Sequence, residues 1–519
     1  MQSRDHAQKR KSVFMWYACV SIVVCIFTFL ELGVPEVSAQ DVQTVKAQKI
    51  DALLADSTAA AYGSPILPNH PPMKDIPPMP MPNSIPDGVR DSGSGIIHDL
   101  STGQTSIGTH SKAFSESTFV TPSQPNASQS DSAKLELNQS SAMVKVNPRD
   151  YLRTVKLIVR FDDNGKDRWF QSSGTMRDSQ VVITAGHCVY NQDYGWAKEV
   201  WAYPAWNGKG LDSLPAYTVD LFGWGYGTKL GAWTGWTEKG DPDADIGYIG
   251  LNRAVGVLTT TYDTMVGEDC YELALKTLYN TSYPAEKPCY SGKDMYWWSN
   301  TDFYCYSTYL RFKNGGSCND TLCGGMTGSS ARFAGSDNKR YIHAVASTSN
   351  SGNAYFCRLW EDLVNWSSDV FIPEVRGNEF DLQPLDLTAS PTTIFSGATF
   401  RSMTHLAVNP SSTNHNTNVT YNVYLSKDQA IDDSDILLST QEYTYPYNLF
   451  SNKFVVDMVD VSVPHDTPEG DYWLMVAYLP TTDSNPANNY TYGWDAVKVH
   501  VQDPITSSLL PLLLLDDDD

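Results

Sequence analysis

Residues 172–191 read SSGTMRDSQVVITAGHCVYN, the most specific pattern in the 519-residue chain. Four residues that favour β-structure, VVIT, run into the small pair Ala185 and Gly186 and then into His187. Small residues at this point let the ring of His187 sit at the end of a strand and face a cleft. The stretch therefore predicts a β-rich fold with His187 as a candidate general base.

A second informative stretch is DADIGYIGL, residues 243–251. Acidic residues before an alternating apolar run are common, so alone this pattern indicates a turn into a strand. A carboxylate here could also accept the proton on the far nitrogen of a histidine, which fixes the tautomer and stabilises the charged ring. Asp243 and Asp245 are both candidates for this role.

The third stretch is CGGMTGSSA, residues 323–331, in which Gly325 and Gly328 bracket the hydroxyl-bearing Thr327. Glycine lets a backbone turn tightly and approach a bound carbonyl group. Threonine is a competent nucleophile when a neighbouring base removes its proton. Three hydroxyl groups are available in this stretch, those of Thr327, Ser329 and Ser330.

Taken in order, these stretches resemble the catalytic motifs of chymotrypsin-fold (trypsin-like) peptidases, closest to the glutamyl endopeptidase branch. The likeness covers roughly residues 150–370 and implies two β-barrels with the catalytic residues between them. It implies that His187 is the base, that Asp245 orients it, and that position 327 supplies the nucleophile. The backbone N–H groups of Gly325 and Thr327 would stabilise the oxyanion.

Thr327 departs from the family pattern, because serine is expected at that position. The β-methyl group restricts χ1 and occupies space that serine leaves to the histidine ring or the substrate. Two hypotheses follow: an adapted peptidase with a His-Asp-Thr triad, or a disabled relative that acts in binding or adhesion. Ser329 and Ser330 are weaker nucleophile candidates, because each lacks one of the flanking glycines.

The sequence YIHAVASTS, residues 341–349, resembles the strand that forms one wall of the family's substrate pocket. Leu322, Ala346 and Ser347 are the pocket candidates by this resemblance. In glutamyl-specific members a histidine on this strand binds the substrate carboxylate, but that position corresponds to Ala346. His343 lies out of phase and is interpreted as structural, so the sequence predicts no cleavage specificity.

The cysteines provide a test of the resemblance. It implies a Cys323–Cys357 disulfide, and it leaves Cys188 as the expected odd thiol, because Ser173 occupies the position of its usual partner. The cysteines left over can form two bridges in three connectivities: Cys270, Cys289, Cys305 and Cys318. No histidine and cysteine cluster has the spacing of zinc ligands, and neither a metal nor another cofactor is expected.

Composition and the N-terminus bear on location and partners. The formal net charge of −22 gives no electrostatic basis for binding nucleic acid, so the expected partner is a polypeptide substrate or a protein ligand. A basic N-terminus, an apolar run and Val37-Ser38-Ala39 predict a signal peptide over residues 1–39, with an uncleaved signal anchor as the alternative. The protein is expected to be secreted, periplasmic or at the cell surface.

The predicted organisation is all-β, a two-barrel chymotrypsin-like domain over residues 149–372 followed by an immunoglobulin-like β-sandwich over 383–503. The segments YLS, DDSDILL and NPANN resemble CARDB domains, which implies a binding role for the sandwich and a possible contact with the cell surface or envelope. The Pro- and Ser-rich residues 40–148 indicate a disordered spacer or a removable propeptide. Residues 504–519 form an apolar and acidic tail.

Overall fold

The computed structural model describes most of the chain from residue 70 onward. The described residues are 70–90, 93–108, 143–206, 222–314, 322–337, 339–350, 352–377, 380–411, 419–428, 431–432, 434–443, 453–479, 488–491 and 495–504. The predicted signal peptide, most of the predicted tail and Cys318 lie outside these ranges. Within them, none of the helices combines the length and the apolar character needed to cross a bilayer.

Six antiparallel strands close the first barrel, and two more extend its edge. The sheet consists of β1 (Gly95–Asp99), β2 (Thr105–Gly108), β4 (Thr154–Asp163), β5 (Lys166–Met176), β6 (Val181–Thr184), β9 (Glu199–Pro204), β10 (Gly225–Trp233) and β11 (Gly247–Leu251). Their order is β11-β6-β5-β4-β9-β10-β1-β2, and β10 also pairs with β11, which closes the barrel. The β4–β5 hairpin turns at Asn164 and Gly165, both with positive φ, as an Asn-Gly hairpin turn requires.

Residues 70–90 and 93–108 are ordered, and β1 and β2 belong to the first sheet, which contradicts a disordered spacer over these residues and leaves the propeptide alternative open. Strand β1 pairs with β10 over its whole length and with β2 on its other side. Gly95 packs so closely on the ring of Trp366 that a Cβ atom would lie 1.9 Å from it. Because β10 and Trp366 are more than 100 residues away, the local sequence gives no sign of these contacts.

The second sheet corresponds to the predicted second barrel. It contains β3 (Val144–Lys145), β12 (Leu278–Ser282), β13 (Tyr296–Asn300), β14 (Phe303–Cys305), β15 (Tyr309–Lys313), β16 (Ser330–Ala334), β17 (Arg340–Ser349) and β18 (Asn353–Arg358), in the order β14-β15-β18-β17-β16-β12-β13-β3. A small hairpin, β7 (Tyr190–Asn191) with β8 (Gly195–Trp196), follows His187.

In the part of the chain that the structure describes, the helices are few and short. They are α1 (Thr234–Lys239), α2 (Gly256–Thr259), α3 (Cys270–Ala274), α4 (Glu361–Trp366) and α5 (Ile372–Arg376). Helix α4 continues through a π-helical turn into α5. A disulfide joins Cys270 at the start of α3 to Cys305 on β14, and Cys289 is disulfide-bonded as well.

The C-terminal region is a two-sheet β-sandwich, so the predicted fold class is confirmed. Its strands are β19 (Gln383–Thr388), β20 (Thr393–Phe395), β21 (Thr399–Asn409), β22 (Val419–Ser426), β23 (Ile436–Tyr443), β24 (Lys453–Ser462), β25 (Gly470–Tyr478) and β26 (Val497–Gln502). One sheet has the order β19-β21-β24 and the other β20-β26-β25-β22-β23. Their inner faces share one buried apolar core that includes Phe400, Val423 and Leu474.

The sandwich packs directly on the first barrel. Arg253 donates two hydrogen bonds of 2.7 Å to the carboxylate of Asp495, and both side chains are buried. Trp473 of the sandwich lies in one buried cluster with Trp201 and Tyr203 of the barrel. A charge pair and an apolar cluster therefore hold the two regions together.

Candidate active site

His187 lies just beyond the end of β6, in a 3₁₀ turn at Gly186–Cys188. Its ring Nδ1 is 2.8 Å from Oδ2 of Asp245, and its backbone N–H donates to the other carboxylate oxygen at 2.7 Å. Residue 186 must be small, because a Cβ atom there would lie 2.9 Å from both Asp245 and Trp236. The TAGH sequence thus brings the histidine and the carboxylate together.

Asp245 is fully buried and lies directly before β11. Besides His187, it accepts a hydrogen bond of 2.5 Å from Oγ of Ser347. The alternative candidate, Asp243, does not contact the histidine. Its carboxylate accepts instead from the backbone N–H groups of Asp87 and Gly88, at 3.0 and 3.3 Å.

Electrostatics favour a charged ring at position 187. Burial alone would lower the pKa of His187, but the Asp245 carboxylate beside Nδ1, helped by the Cys188 sulphur, raises it to about 10. Burial would likewise raise the pKa of the Cys188 thiol, but the nearby imidazole of His187 lowers it. The Asp245 carboxylate thus favours the charged ring, which is the form that a general base takes up once it has accepted a proton.

Thr327 lies at the tight turn that the glycines predicted. Gly325 and Gly328 both have positive φ, +87° and +86°. A Cβ atom at Gly328 would lie 2.1 Å from Oγ1 of Thr184 and 2.2 Å from the backbone oxygen of Ser173, so the turn packs against the strands that lead to His187. This contact brings the candidate nucleophile to the end of β6.

The hydroxyl of Thr327 does not bond to the histidine in this conformation. Its Oγ1 lies 3.4 Å from Oγ of Ser172, and its carbonyl oxygen accepts from Ser172 Oγ at 2.7 Å and from the Ser173 backbone N–H at 3.0 Å. Nε2 of His187 is buried and has no hydrogen-bond partner among the described residues. The structure thus joins His187 to Asp245, and it holds Thr327 beside Ser172.

Ser172 is a site residue that the sequence reasoning missed. Its Oγ lies 2.9 Å from the sulphur of Cys188 as well as near both oxygens of Thr327. The residue that faces Cys188 is therefore Ser172 and not Ser173, which corrects the expected alignment by one position. Alternation along β5 could have indicated this, because adjacent residues of a strand face opposite sides.

The three pocket candidates have different surroundings. Leu322 is fully buried in an apolar cluster of the second barrel, and Ala346 donates its N–H to the Ser329 oxygen at 2.8 Å. Ser347 contacts Asp245 and so supports the histidine. His343, interpreted as structural, is buried with its ring edge-on to Phe333, and burial lowers its pKa to about 4.

The disulfide implied between Cys323 and Cys357 is not formed in this structure. The sulphur of Cys357 donates to the backbone oxygen of Asp243 at 2.9 Å, within the first apolar core. The sulphur of Cys323 lies 3.5 Å from that of Met326, within the core of the second barrel. The two thiols occupy different cores, which is the physical reason for the error. Cys188 is a thiol, as expected.

Comparisons with known proteins find solved peptidases to which the chain is weakly similar. The chain resembles chymotrypsin-fold enzymes. A solved Glu endopeptidase is 19% identical, with 44% of this chain and 96% of that chain covered at a TM-score of 0.35. The protease Anisep from Arthrobacter nicotinovorans is 19% identical, with 45% and 98% covered at 0.33.

The sandwich also has a similar solved structure. A CARDB domain from Pyrococcus furiosus is 14% identical and covers 24% of this chain and 96% of that domain, at a TM-score of 0.18. These are the classes of protein that the motifs predicted. Because identities and TM-scores are this low, the likeness carries no conclusion about activity. No family model matches the chain.

One curated relative is named as a metalloprotease, unlike the solved structures above. An "Extracellular metalloprotease" of Bacillus subtilis (strain 168) is 28% identical over 206 residues, which is 38% of this chain and 62% of the relative. The chain thus spans about three fifths of that relative's length. Among the described residues, no group of three or more His, Cys, Asp or Glu side chains is placed to hold a metal ion.

Proposed function

We propose that this protein is an exported serine-type endopeptidase that hydrolyses peptide bonds through His187, Asp245 and Thr327. The observation that carries the proposal is the pairing of the His187 ring with a fully buried carboxylate at 2.8 Å, with Nε2 left without a partner in the described structure. A general base of an acyl-transfer site needs this arrangement, because one nitrogen is oriented and the other remains available for a proton.

In the proposed reaction, Oγ1 of Thr327 attacks the peptide carbonyl carbon while Nε2 of His187 takes the hydroxyl proton. Asp245 stabilises the resulting imidazolium, and the N–H groups of Gly325 and Thr327 would bind the oxyanion, each contributing about 3 kcal/mol. The imidazolium then protonates the leaving amine as the C–N bond breaks. A water, deprotonated by His187, hydrolyses the ester and regenerates the threonine hydroxyl.

This reaction requires the Thr327 hydroxyl to come within hydrogen-bond distance of Nε2 of His187. Its hydroxyl lies 3.4 Å from Ser172, whereas the reaction needs it beside Nε2 of His187. The Cβ atom of threonine has three staggered positions about χ1. Once the hydroxyl takes one of them, the methyl group must take one of the other two, so both groups must fit the site together. The same observation favours the second candidate, a disabled peptidase in which the fold serves as a binding surface.

Substitution at position 327 tests both candidates. We expect Thr327→Ala to lower kcat/KM on a mixed peptide library by about 10³-fold or more, because it removes the nucleophile and leaves only the other catalytic groups. We expect Thr327→Ser to retain or raise activity, because it keeps the hydroxyl and removes the methyl group. Measured kcat/KM values for the three proteins check this.

Each outcome has a defined meaning. Equal activity of the alanine and threonine proteins would contradict a role for Thr327 as nucleophile. Activity in the serine protein alone would identify the natural chain as the disabled relative. Addition of a metal chelator provides a control, because the proposed reaction uses protein groups only and its rate should not change.

A further inference from the structure

An N-terminal stretch, residues 70–90, contacts the elements around the candidate catalytic residues and is called here the cover segment. His187 is 1% exposed and Thr327 is 0% exposed, so no peptide can reach either of them in this conformation. An endopeptidase needs an open groove beside its nucleophile. The groups that surround the site on each side contact the cover segment instead.

The first part of the cover segment lies along β5. Gln171, the neighbour of Ser172, donates its backbone N–H to the oxygen of Pro77 and accepts from the N–H of Met79, both at 2.9 Å. The Gln171 side chain donates to the oxygen of Ile76 at 2.6 Å. The segment therefore pairs with the edge of the site as an extended peptide would.

Lys156 reinforces that pairing from inside the barrel. Its Nζ donates to Oε1 of Gln171 at 2.6 Å, and this orients the amide that holds Ile76. Lys156 is fully buried, and burial holds its pKa well below the usual value. Gln171 thus serves as a polar bridge between the barrel core and the cover segment.

The middle of the segment crosses the turn that carries the nucleophile. Pro78 lies against Gly324, where an added Cβ atom would be 2.8 Å from the proline ring. Met79 is 1% exposed and belongs to the apolar core of the first barrel. Oγ1 of Thr348, next to Ser347, donates to the oxygen of Pro82 at 2.7 Å. The two sides of the site are therefore bridged by residues 77–82.

The last part is anchored beside the orienting aspartate. Asp243 accepts from the N–H groups of Asp87 and Gly88, and its backbone oxygen accepts from Nε of Arg90 at 2.8 Å. Arg90 also donates to the oxygen of Arg358 at 2.9 Å and stacks on Trp360 with its guanidinium 3.7 Å from the ring centroid.

We propose that residues 76–82 occupy the peptide-binding groove of this enzyme and keep it latent until the cover segment is displaced. The groove would accordingly bind extended, apolar, proline-containing peptides. Prolines at 77, 78, 80 and 82 fix φ and remove backbone donors, so the segment is extended before it binds and loses little conformational entropy. This inference rests on the proposed peptidase function.

A site-specific cut tests latency in the full chain. A protease recognition sequence is inserted between Asn83 and Ser84, which are exposed, and a matched insertion is made in the exposed turn at residues 101–104. Both proteins are cut and passed through gel filtration. Each insertion variant is also made with the substitution Met79→Asp. The substitution places a charge at a buried position, so the N-terminal fragment that the cut produces should dissociate even if the wild-type fragment stays bound.

We expect the cut at residue 83, with the fragment gone, to raise kcat/KM at least about tenfold, because a tethered occupant acts at roughly millimolar effective concentration. The control cut should leave activity low, since residues 70–90 stay continuous with β1. A synthetic peptide of residues 70–90 should restore latency, and its Met79→Asp form should not. An uncut chain as active as the fragment-free chain would overturn the inference.

Binding of the fluorescent 70–90 peptide to fragment-free protein carrying Thr327→Ala separates this inference from the proposed function. If no form hydrolyses peptides but the labelled peptide binds and its Met79→Asp form does not, the proposed function fails and the groove assignment stands. If no form is active and the peptide does not bind, both fail.

Discussion

At the level of single residues, the proposed chemistry depends on one buried carboxylate. Asp245 contacts His187 through both of its oxygens, whereas Asp243 contacts the cover segment. We expect Asp245→Asn to lower kcat/KM by about 10⁴-fold, because an amide N–H facing Nδ1 would stabilise the wrong tautomer of the ring. The kcat/KM values of wild type and variant are measured on whichever of the uncut and fragment-free proteins is more active.

Asp243→Asn is the matched control, since it removes an equivalent charge two residues away without touching the ring. We expect it to change the activity of fragment-free protein by less than about tenfold. A larger loss in the Asp243 variant than in the Asp245 variant would reverse the assignment of the orienting residue.

The raised pKa of His187 links stability to pH. The folded-state pKa of about 10 lies above the unfolded value near 6.5, so folding strengthens proton binding at this ring. The resulting stability is fully present below pH about 6.5 and is lost as pH rises toward about 10.

We therefore expect the stability advantage of the wild type over His187→Gln to shrink between these pH values, by an amount on the order of a few kcal/mol. Denaturant unfolding of both proteins at pH 6, 8 and 10 measures the difference, and the other titrating groups cancel in the comparison. A difference that is constant or that grows with pH would contradict the buried ion pair.

His187 and Asp245 could be found from sequence because each lies at one end of a short apolar strand whose pattern is local. The hydroxyl groups that contact these residues and Thr327 could not be found in this way. Ser172 and Ser347 meet the site only through the pairing of strands that are far apart in the chain. The error in the Cys323–Cys357 prediction has the same origin, since cysteine spacing does not specify which core each sulphur enters.

At the level of elements, the turn at Gly325–Gly328 is the most constrained feature of the site. The backbone of Gly328 has positive φ and packs against β5 and the end of β6. We expect Gly328→Ala to destabilise the protein by at least about 3 kcal/mol, because the methyl group adds a clash with Thr184 to the cost of the left-handed conformation. The midpoint of thermal unfolding reports the loss.

Gly267→Ala separates the cost of the steric clash from the cost of the left-handed backbone conformation. Gly267 has nearly the same φ, +84°, but an added Cβ atom would meet nothing within 4 Å. We expect it to cost only about 1–2 kcal/mol, which is the conformational part. Equal losses in both variants would mean that the turn yields without cost and does not hold Thr327 rigidly.

Strand β1 is an element that its own local sequence does not predict. Its five residues lie in a chain region whose proline and serine content indicates a spacer, yet it pairs with β10. Only the partner strand makes it a strand, because an isolated segment of that length cannot offset its ordering entropy. The same reason explains why the cover segment could be interpreted from sequence only as a spacer or a propeptide.

At the level of the whole molecule, one apolar cluster joins three parts of the chain. Met73 and Ile76 of the cover segment pack in the same cluster as Trp201 of the barrel and Trp473 of the sandwich. Displacing the cover segment would therefore uncover apolar surface beside the sandwich. If the segment is removed, the contact between barrel and sandwich must depend more on the polar pair at Arg253 and Asp495.

We expect Arg253→Ala to destabilise the protein by about 3–5 kcal/mol, because it leaves the Asp495 carboxylate buried without its partner. Arg168→Ala is the control. Its ion pair with Asp163 is largely exposed, and its loss should cost about 1 kcal/mol or less. Denaturant unfolding and limited proteolysis at residues 377–382 measure both effects. If the two variants lose the same stability, the apolar contacts alone hold the sandwich on the barrel. In that case, release of the cover segment should leave the sandwich in place only if the contact between Trp201 and Trp473 persists.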